Sequence, residues 1–508
     1  MIAAVESEIK LIASSAMLEA LRGHALLAGA DQTSTLVTTY FDTLGRKLKH
    51  SGASLRIRDG GKGREQTFKL ISPGGSVVRR SEWNVAAGGD LPEPSAFPVK
   101  PRTTLVRLLG GGALEPVATT TIERTTRRIH FGSSAIEIAF DLGAIRAGER
   151  EAAVCEFEME LVEGRFADML ALALELPLGP ELRWSVSSKA ERCYALAFDL
   201  QPVAGLAQPV KLSARMNAAN GFQAIAWNCL EQLLANYPLV IASGDAEGVH
   251  QCRVAIRRLR AACSLFGDVV TDDAAAVLRA ELKAVATGFG PARELHVLLD
   301  RVASAAASGD HDGSELQAHL GARRGAAVQA AQALLAANPF QRLLFELAVW
   351  IENGEWLAQK SETGGSQPIA PFVAQVLSRR RRKLRRKCGS LAEMPDTARH
   401  HLRIDVKKLR YAAEFFESLY HNKANAKQRR AFAKALGRLQ DSLGELNDMA
   451  VAAEGGSALF EDLEPIAAAR LATQLDRLLG EHLHSRRNLL KTSGRWLTRA
   501  VGTRAWWK

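Results

Sequence analysis

Glu6-Ser7-Glu8-Ile9-Lys10 places two carboxylates and an ammonium at alternate positions inside an apolar frame of Val5, Ile9 and Leu11. Far downstream, Glu156-Phe157-Glu158-Met159-Glu160 repeats the arrangement. In a strand, residues two apart share a face, so each segment projects its charges to one side and its apolar residues to the other. The same part of the chain supplies Leu55-Arg56-Ile57-Arg58 and Thr67-Phe68-Lys69, strands with cations on one face. Read alone, any of these is the wet face of an antiparallel sheet. Read together, carboxylate strands and guanidinium strands in one small sheet predict a polar interior that holds metal ions and a polyanion.

A triphosphate is a compact polyanion of that kind. Hydrolysing it requires cations on the phosphate oxygens, a metal to neutralise developing charge and a positioned water. Hard oxygen ligands suit Mg2+ or Mn2+. Glu6, Glu8, Glu156 and Glu158 are such ligands, and Asp141 can join them from Ile136-Glu137-Ile138-Ala139-Phe140-Asp141. Lys10, Arg56, Arg58, Lys69, Arg80, Arg124, Lys189 and Arg192 are the candidate phosphate clamps. Glu137 and Glu160 are read as outer carboxylates or as wall hydration.

The elements that must position these groups change character along the chain. Up to about residue 200, short alternating runs are separated by Gly, Pro and Asp clusters, a pattern of strands and hairpins, with helices expected at 14–27 and 165–176. Leu200 to Pro209 reads as a linker, and beyond it come long Ala, Leu and Arg-rich helical segments. The 508 residues are too many for one core. Charge divides with the texture: residues 1–205 carry 24 Lys+Arg against 25 Asp+Glu, and the remainder carries 42 against 30. The chain's net charge of +11 therefore lies entirely in the second part, which predicts a polyanion-binding surface there. Six cysteines without a C-x-x-C pair suggest neither a disulfide framework nor a zinc ribbon. The E-x-E-x-K strand leaves no room for a signal peptide, and no apolar run reaches spanning length, so a cytoplasmic protein off the membrane is expected.

The helical part repeats itself. His250-Gln251-Cys252-Arg253-Val254-Ala255-Ile256-Arg257-Arg258-Leu259-Arg260 aligns without gaps on His400-His401-Leu402-Arg403-Ile404-Asp405-Val406-Lys407-Lys408-Leu409-Arg410. Each copy is followed by a second matching segment, ending in Gly290-Pro291-Ala292-Arg293-Glu294 and Gly444-Glu445-Leu446-Asn447-Asp448. On a helical wheel His250, Arg253, Arg257 and Arg260 share one arc, beside an apolar arc of Cys252, Ile256, Leu259, Cys263 and Phe266. His400, Arg403, Lys407 and Arg410 do the same in the second copy. The run Arg379 to Lys387 holds eight cations in nine residues, a density that a polyanion would relieve. Aromatic interleaving of the kind that stacks bases is absent there, so nucleic acid is a possible partner but not the favoured one.

Two resemblances follow. Glu6-x-Glu8-x-Lys10, Tyr40-Phe41-Asp42-Thr43, Leu55-Arg56-Ile57-Arg58, Phe68-Lys69, Arg80-Ser81-Glu82, Glu123-Arg124, Phe140-Asp141-x-Gly143, Glu156-x-Glu158-x-Glu160 and Ser188-Lys189-x-x-Arg192 occur in an order that resembles the CYTH family, the triphosphate tunnel metalloenzymes. The resemblance implies a closed eight-stranded antiparallel β-tunnel with flanking helices. It implies metal ligation by Glu6, Glu8, Asp141, Glu156 and Glu158, and catalysis by Glu6, Glu8, Lys10, Glu156 and Glu158. It implies phosphate contacts at Lys10, Arg56, Arg58, Lys69, Arg124 and Lys189, with Arg80 and Arg192 in support; Tyr40-Phe41-Asp42-Thr43 is read as a structural edge.

The His-plus-basic repeat resembles the CHAD family, whose reading is inorganic polyphosphate bound along a basic groove, here by His250, Arg253, Arg257, Arg260, His400, Arg403, Lys407 and Arg410. Metal chelation by the histidines is disfavoured, because they come one per copy amid cations.

The expected architecture is thus α+β and multidomain: the tunnel over residues 1–203, a linker at 204–212, and an all-α domain of two duplicated helical bundles over 213–508, with repeats at about 213–360 and 368–508. The order of domains resembles bacterial inorganic triphosphatases. The expected activity is metal-dependent hydrolysis of inorganic triphosphate to phosphate and pyrophosphate, with long-chain polyphosphate as partner and polyphosphate granules as a possible location. The alternatives are a tunnel enzyme acting on thiamine or nucleoside triphosphate, an adenylate cyclase, or a non-catalytic polyphosphate-binding adaptor.

Overall fold

The computed structural model describes residues 4–60, 63–70, 79–308, 313–358, 364–388, 391, 393–420, 423–455, 458–479 and 486–507. The side chains of Glu6, Arg80 and Asp448 lie outside the described residues. The chain forms two compact units, one comprising residues 1–208 with Leu230–Ser243 and Ala333–Asn353, the other comprising Pro209–Cys229, Gly244–Gln332 and Gly354–Lys508.

The first unit is built on one antiparallel sheet of nine strands: β1 (Ala4–Ala13), β2 (Gln32–Asp42), β3 (Ala53–Gly60), β4 (Gly63–Leu70), β5 (Arg79–Ala86), β6 (Glu115–Phe131), β7 (Ser134–Ala147), β8 (Arg150–Glu163) and β9 (Leu182–Ser185), in the order β5-β4-β3-β2-β6-β7-β8-β1-β9. This corrects the expectation of a closed eight-stranded tunnel. One edge of β1 is shared: Ala4–Ser7 pairs with Glu82–Arg79 of β5, while Lys10–Ala13 pairs with Ser185–Leu182 of β9. Closure between β1 and β5 is limited to that short stretch, and the four-residue β9 takes the rest of the edge.

Alternation decides which face is wet, and here the charged face is inside. On β3, Leu55 and Ile57 are buried, Leu55 packing with Phe68, Leu48 and the Val99–Leu109 helix, while Arg56 and Arg58 alternate with them toward a cavity. Ile9 and Leu11 alternate in the same way with Glu8 and Lys10, and Phe157 and Met159 with Glu156 and Glu158. The apolar faces are covered from outside by helices, among them Ser15–Arg22 and Phe166–Leu174, which sit within the helical stretches read from sequence. At Gly143 an added Cβ would meet the Thr121 carbonyl oxygen at 2.0 Å, so the close approach of β6 to β7 requires glycine there.

The Lys189–Phe198 helix packs on β6, β7 and β8, with Ala190 and Cys193 against Tyr40, Ile122, Ile145 and Val154. Ser188 and Glu191 form a reciprocal capping box at its start. Asp42, fully buried, accepts from the backbone N–H groups of Thr43, Leu48 and Lys49 and from the Tyr194 hydroxyl at 2.7 Å, tying the end of β2 to this helix.

The second unit is helical. Ala246–Leu265 and Asp396–Phe415 carry the two repeat motifs and pack against each other. Cys252, Ile256, Leu259, Cys263 and Phe266 are buried, as the wheel predicts. Among the described residues no helix is long and apolar enough to cross a membrane.

Candidate functional site

The first unit holds a partly open cavity of about 780 Å³ into which the inward face of the sheet delivers Glu8, Lys10, Arg56, Arg58, Lys69, Arg124 and Glu158, with Lys189 reaching in from the helix start. Period-2 alternation on β1, β3, β4, β6 and β8 places the strand residues there. Glu158 of the lining, with Asp141 and Glu156 behind it, holds carboxylate oxygens within 4.8 Å of theirs. Asp141 faces Glu156 across β7 and β8, and Glu158 stands two residues further along β8.

Those three carboxylates are bound by this chain's own cations. The Lys189 ammonium lies 2.8 Å from Asp141 Oδ2 and 2.7 Å from Glu158 Oε1, and also bonds Glu156. The Arg124 guanidinium donates from Nε to Asp141 Oδ1 at 2.7 Å and from Nη2 to Asp141 and Glu158. Arg192 Nη2 closes on Glu156 Oε1 at 2.6 Å. Lys10 Nζ donates to the Ser187 carbonyl at 3.1 Å and stands 3.9 Å from Glu158. Burial opposes the charge on Glu158, but Lys189, Arg124 and Lys10 outweigh it and hold the carboxyl well below the usual range. Burial also opposes the Lys189 charge, and Glu158, Asp141 and Glu156 push its pKa above the ordinary lysine value. One ammonium bonded to all three carboxylates shows that their oxygens converge on a single cation-sized position. Hard oxygen donors so arranged fit a divalent cation.

Along the other side of the cavity, cations face cations. Arg56, then burial, then Arg124 push the Arg58 pKa down to about 10. Arg56 lies 3.7 Å from Glu82, which Lys69 approaches to 2.5 Å. Glu160 is pushed up by burial and then by Glu8, Glu137 and Glu82; it pairs with Glu8 on one side and with Glu137 on the other.

The backbones of Glu6 and Arg80 pair across β1 and β5. Sequence reasoning left Glu82, Asn84, Lys49 and Tyr194 without a role, and all four line the cavity. Glu82 and Asn84 follow Arg80 at period 2 on β5, a signal that alternation carries. Lys49 lies in the four-residue Lys47–His50 helix, where no periodicity points to the cavity.

In the second unit the two histidines hold equivalent positions in the repeats but differ in surroundings, His250 being half-buried and His400 exposed. His250 titrates below its ordinary value through burial and then Arg293, with Arg257 and Arg253 adding to it. His400 Nδ1 lies 2.8 Å from Asn447 Oδ1. Arg293 and Asn447 hold the same position in the two repeats. Arg253 donates to the Phe289 carbonyl at 2.9 Å and Arg410 to Gln440 Oε1 at 2.8 Å. Lys408, pushed down by burial and by Arg380, also feels Arg260 of the other repeat, so cations of both copies meet. Arg403 and Lys407 lie on the same helix as His400.

The Arg379 to Lys387 run is relieved largely within the chain. Arg380 bonds the Ser264 carbonyl, Arg381 the Val501 and Thr503 carbonyls, Arg379 pairs with Asp268, and Lys383 and Lys387 share Asp405. Trp506 and Trp507 are buried against Phe432, as packing residues.

Comparison with known proteins agrees with this division. An inorganic triphosphatase of Haemophilus influenzae is 32% identical over 174 residues, 32% of this chain and 47% of the relative, so the chain spans about half the length of the curated relative it matches. The crystal structure of the CHAD domain from the plant Ricinus communis is 31% identical and is matched over 57% of this chain and 97% of its own, with a TM-score of 0.48. A putative adenylyl cyclase from Hippeastrum with a dominant triphosphatase activity is 21% identical, matched over 37% of this chain and 95% of its own, with a TM-score of 0.28. The family model of the CYTH domain matches residues 4–194 and that of the CHAD domain residues 224–455. The chain thus carries a CYTH domain followed by a CHAD domain.

Proposed function

We propose that the cavity hydrolyses inorganic triphosphate to phosphate and pyrophosphate in a metal-dependent reaction, and that the helical unit binds longer polyphosphate. The observation that carries the first part is Arg58: a half-buried guanidinium pressed down by Arg56 and Arg124 in a shared cavity is a place where a polyanion is stabilised. The H. influenzae relative, an inorganic triphosphatase, supports the same reading.

In this reading Arg56, Arg58, Lys69 and Lys10 bind phosphate oxygens, with Lys49 as a further cation of the cavity wall, and Arg80 is given the same role from the sequence alone. Asp141, Glu156 and Glu158, joined by Glu6 and Glu8, would hold Mg2+ or Mn2+, which when bound offsets phosphate charge and lowers the pKa of a water. Arg124, Lys189 and Arg192 keep the carboxylates ionised and aligned, and exchange part of that bonding for phosphate oxygens as substrate enters. Glu8 and Glu160 face each other on the same wall, with Glu137 next in line, as carboxylates beyond this set.

On the helical unit, His250, Arg253, Arg257 and Arg260 form one half of a polyphosphate surface, and His400, Arg403, Lys407 and Arg410 the other. Free cysteines at all six positions suit a reducing cytoplasm, where polyphosphate granules would be a partner.

The test is product release from triphosphate, pyrophosphate, ATP and thiamine triphosphate with Mg2+ or Mn2+. Triphosphate should be turned over with the highest kcat/KM. Preference for ATP or thiamine triphosphate would replace the substrate, and no turnover of any would remove the enzyme reading.

A further inference from the structure

The first unit does not end with the CYTH match: Leu230–Ser243 and Ala333–Asn353 belong to it. They meet it at β9, the strand that ends the sheet. An end strand presents an edge of backbone polar groups that must be paired or covered. The buried Tyr237 hydroxyl donates to the Trp184 carbonyl on β9. The buried Phe345 ring stacks on the Trp184 indole, with centroids 4.2 Å apart and planes 12° from parallel. Around them Arg342 donates to the Leu174 carbonyl at 2.8 Å, at the end of the Phe166–Leu174 helix, and Asn338 to the Leu178 carbonyl.

β9 leads directly into the reactive part of the cavity. Trp184 pairs with Leu11 and Ser185 with Lys10. Two residues on, the Ser187 carbonyl accepts from Lys10 Nζ; the next residue caps the helix whose first residue, Lys189, bonds Asp141, Glu156 and Glu158.

We infer that Tyr237 and Phe345 are positioning residues for triphosphate hydrolysis: they hold β9, and through it the Ser187 carbonyl and Lys189, in register with Lys10 and the carboxylates. This rests on the proposed reading of the cavity as the triphosphate site. Two helical segments far down the chain thereby become part of the cavity's working parts.

The experiment uses the full chain carrying Tyr237→Phe, Phe345→Ala or the conservative Phe345→Tyr. Tyr237→Phe keeps the ring against Phe340 and removes the hydroxyl, leaving the Trp184 carbonyl without that bond and Gln341 Oε1 without its 3.5 Å contact. Amide hydrogen exchange across residues 182–192 should quicken in Tyr237→Phe and Phe345→Ala while β6 and β7 keep their protection. KM for triphosphate should rise roughly three- to tenfold with kcat changed less than twofold, and Phe345→Tyr should restore both to wild-type values. Unchanged exchange over 182–192 would overturn the inference. So would a fall in kcat at constant KM, which reports only a smaller folded fraction. Absence of triphosphate turnover in the wild type would remove the proposed function, and the exchange measurement would still decide whether these two residues hold β9.

Discussion

In the tunnel unit Lys189 meets three carboxylates and Arg124 two, whereas in the helical unit His250 stands among Arg253, Arg257 and Arg293, and Lys408 feels Arg380 and Arg260. Around those carboxylates the first arrangement is internally compensated, so a ligand must exchange partners group by group, which favours one size and charge of anion; on the opposite side of the cavity Arg56 and Arg58 press on each other as the cations of the helical unit do. The second leaves cations facing cations across two repeats, so an anion gains by neutralising the field, with length mattering more than shape. Ionic strength separates the two, because partly buried pairs are screened much less than exposed charge.

The largest effect expected from breaking this contrast is on the tunnel. Glu158→Gln leaves Arg124 and Lys189 short of a charged partner and removes a ligand from the acidic set, so steady-state phosphate release should fall by about 100-fold or more. Polyphosphate binding in the same variant should be unchanged. Retention of turnover would mean that the carboxylate set is structural only.

Next in size is the converse variant. With Arg257, Arg260, Lys407 and Arg410 all changed to Ala, long-chain polyphosphate should bind roughly tenfold or more weakly in filter binding, and its salt dependence should flatten. Triphosphate kcat/KM should stay within about twofold, since none of these residues lies in the cavity lining. Equal losses of both activities would show that the two regions do not act separately.

The smallest effect is a pH dependence. The folded pKa of His250 lies below its ordinary 6.5, so at neutral pH the ring is neutral in the folded chain. As pH falls below 6.5 the unfolded chain takes up that proton first, and the His250 contribution to stability declines. A polyphosphate bound nearby raises the histidine pKa, so binding should tighten by about two- to threefold as pH falls from 7 toward 5.5, and His250→Ala should flatten that trend. A wild-type profile with no slope would place His250 away from the ligand.

Much of this contrast is legible in the sequence because alternation and helical period are local. Arg56 and Arg58, or Glu156 and Glu158, announce their shared face through Leu55, Ile57, Phe157 and Met159, and the repeat aligns His250 with His400 and Arg293 with Asn447. β9 was not legible as a strand: four residues have too little pattern, and Tyr237 and Phe345, which hold it, lie far away in the chain. Full closure of the tunnel failed for the same reason, since β9 takes half the edge of β1 that β5 would otherwise occupy. At the Arg379 to Lys387 run charge density says nothing of distant carbonyls, and those of Ser264, Val501 and Thr503 accept from Arg380 and Arg381 there.

The central claim is that the acidic and basic walls of one cavity work together on triphosphate. The direct measurement is simultaneous quantitation of phosphate and pyrophosphate from inorganic triphosphate by the full chain, with Mg2+ or Mn2+ and again with the metal chelated. The account predicts equimolar phosphate and pyrophosphate, released only with metal present. Release that is unaffected by chelation, or no release under either condition, would contradict it.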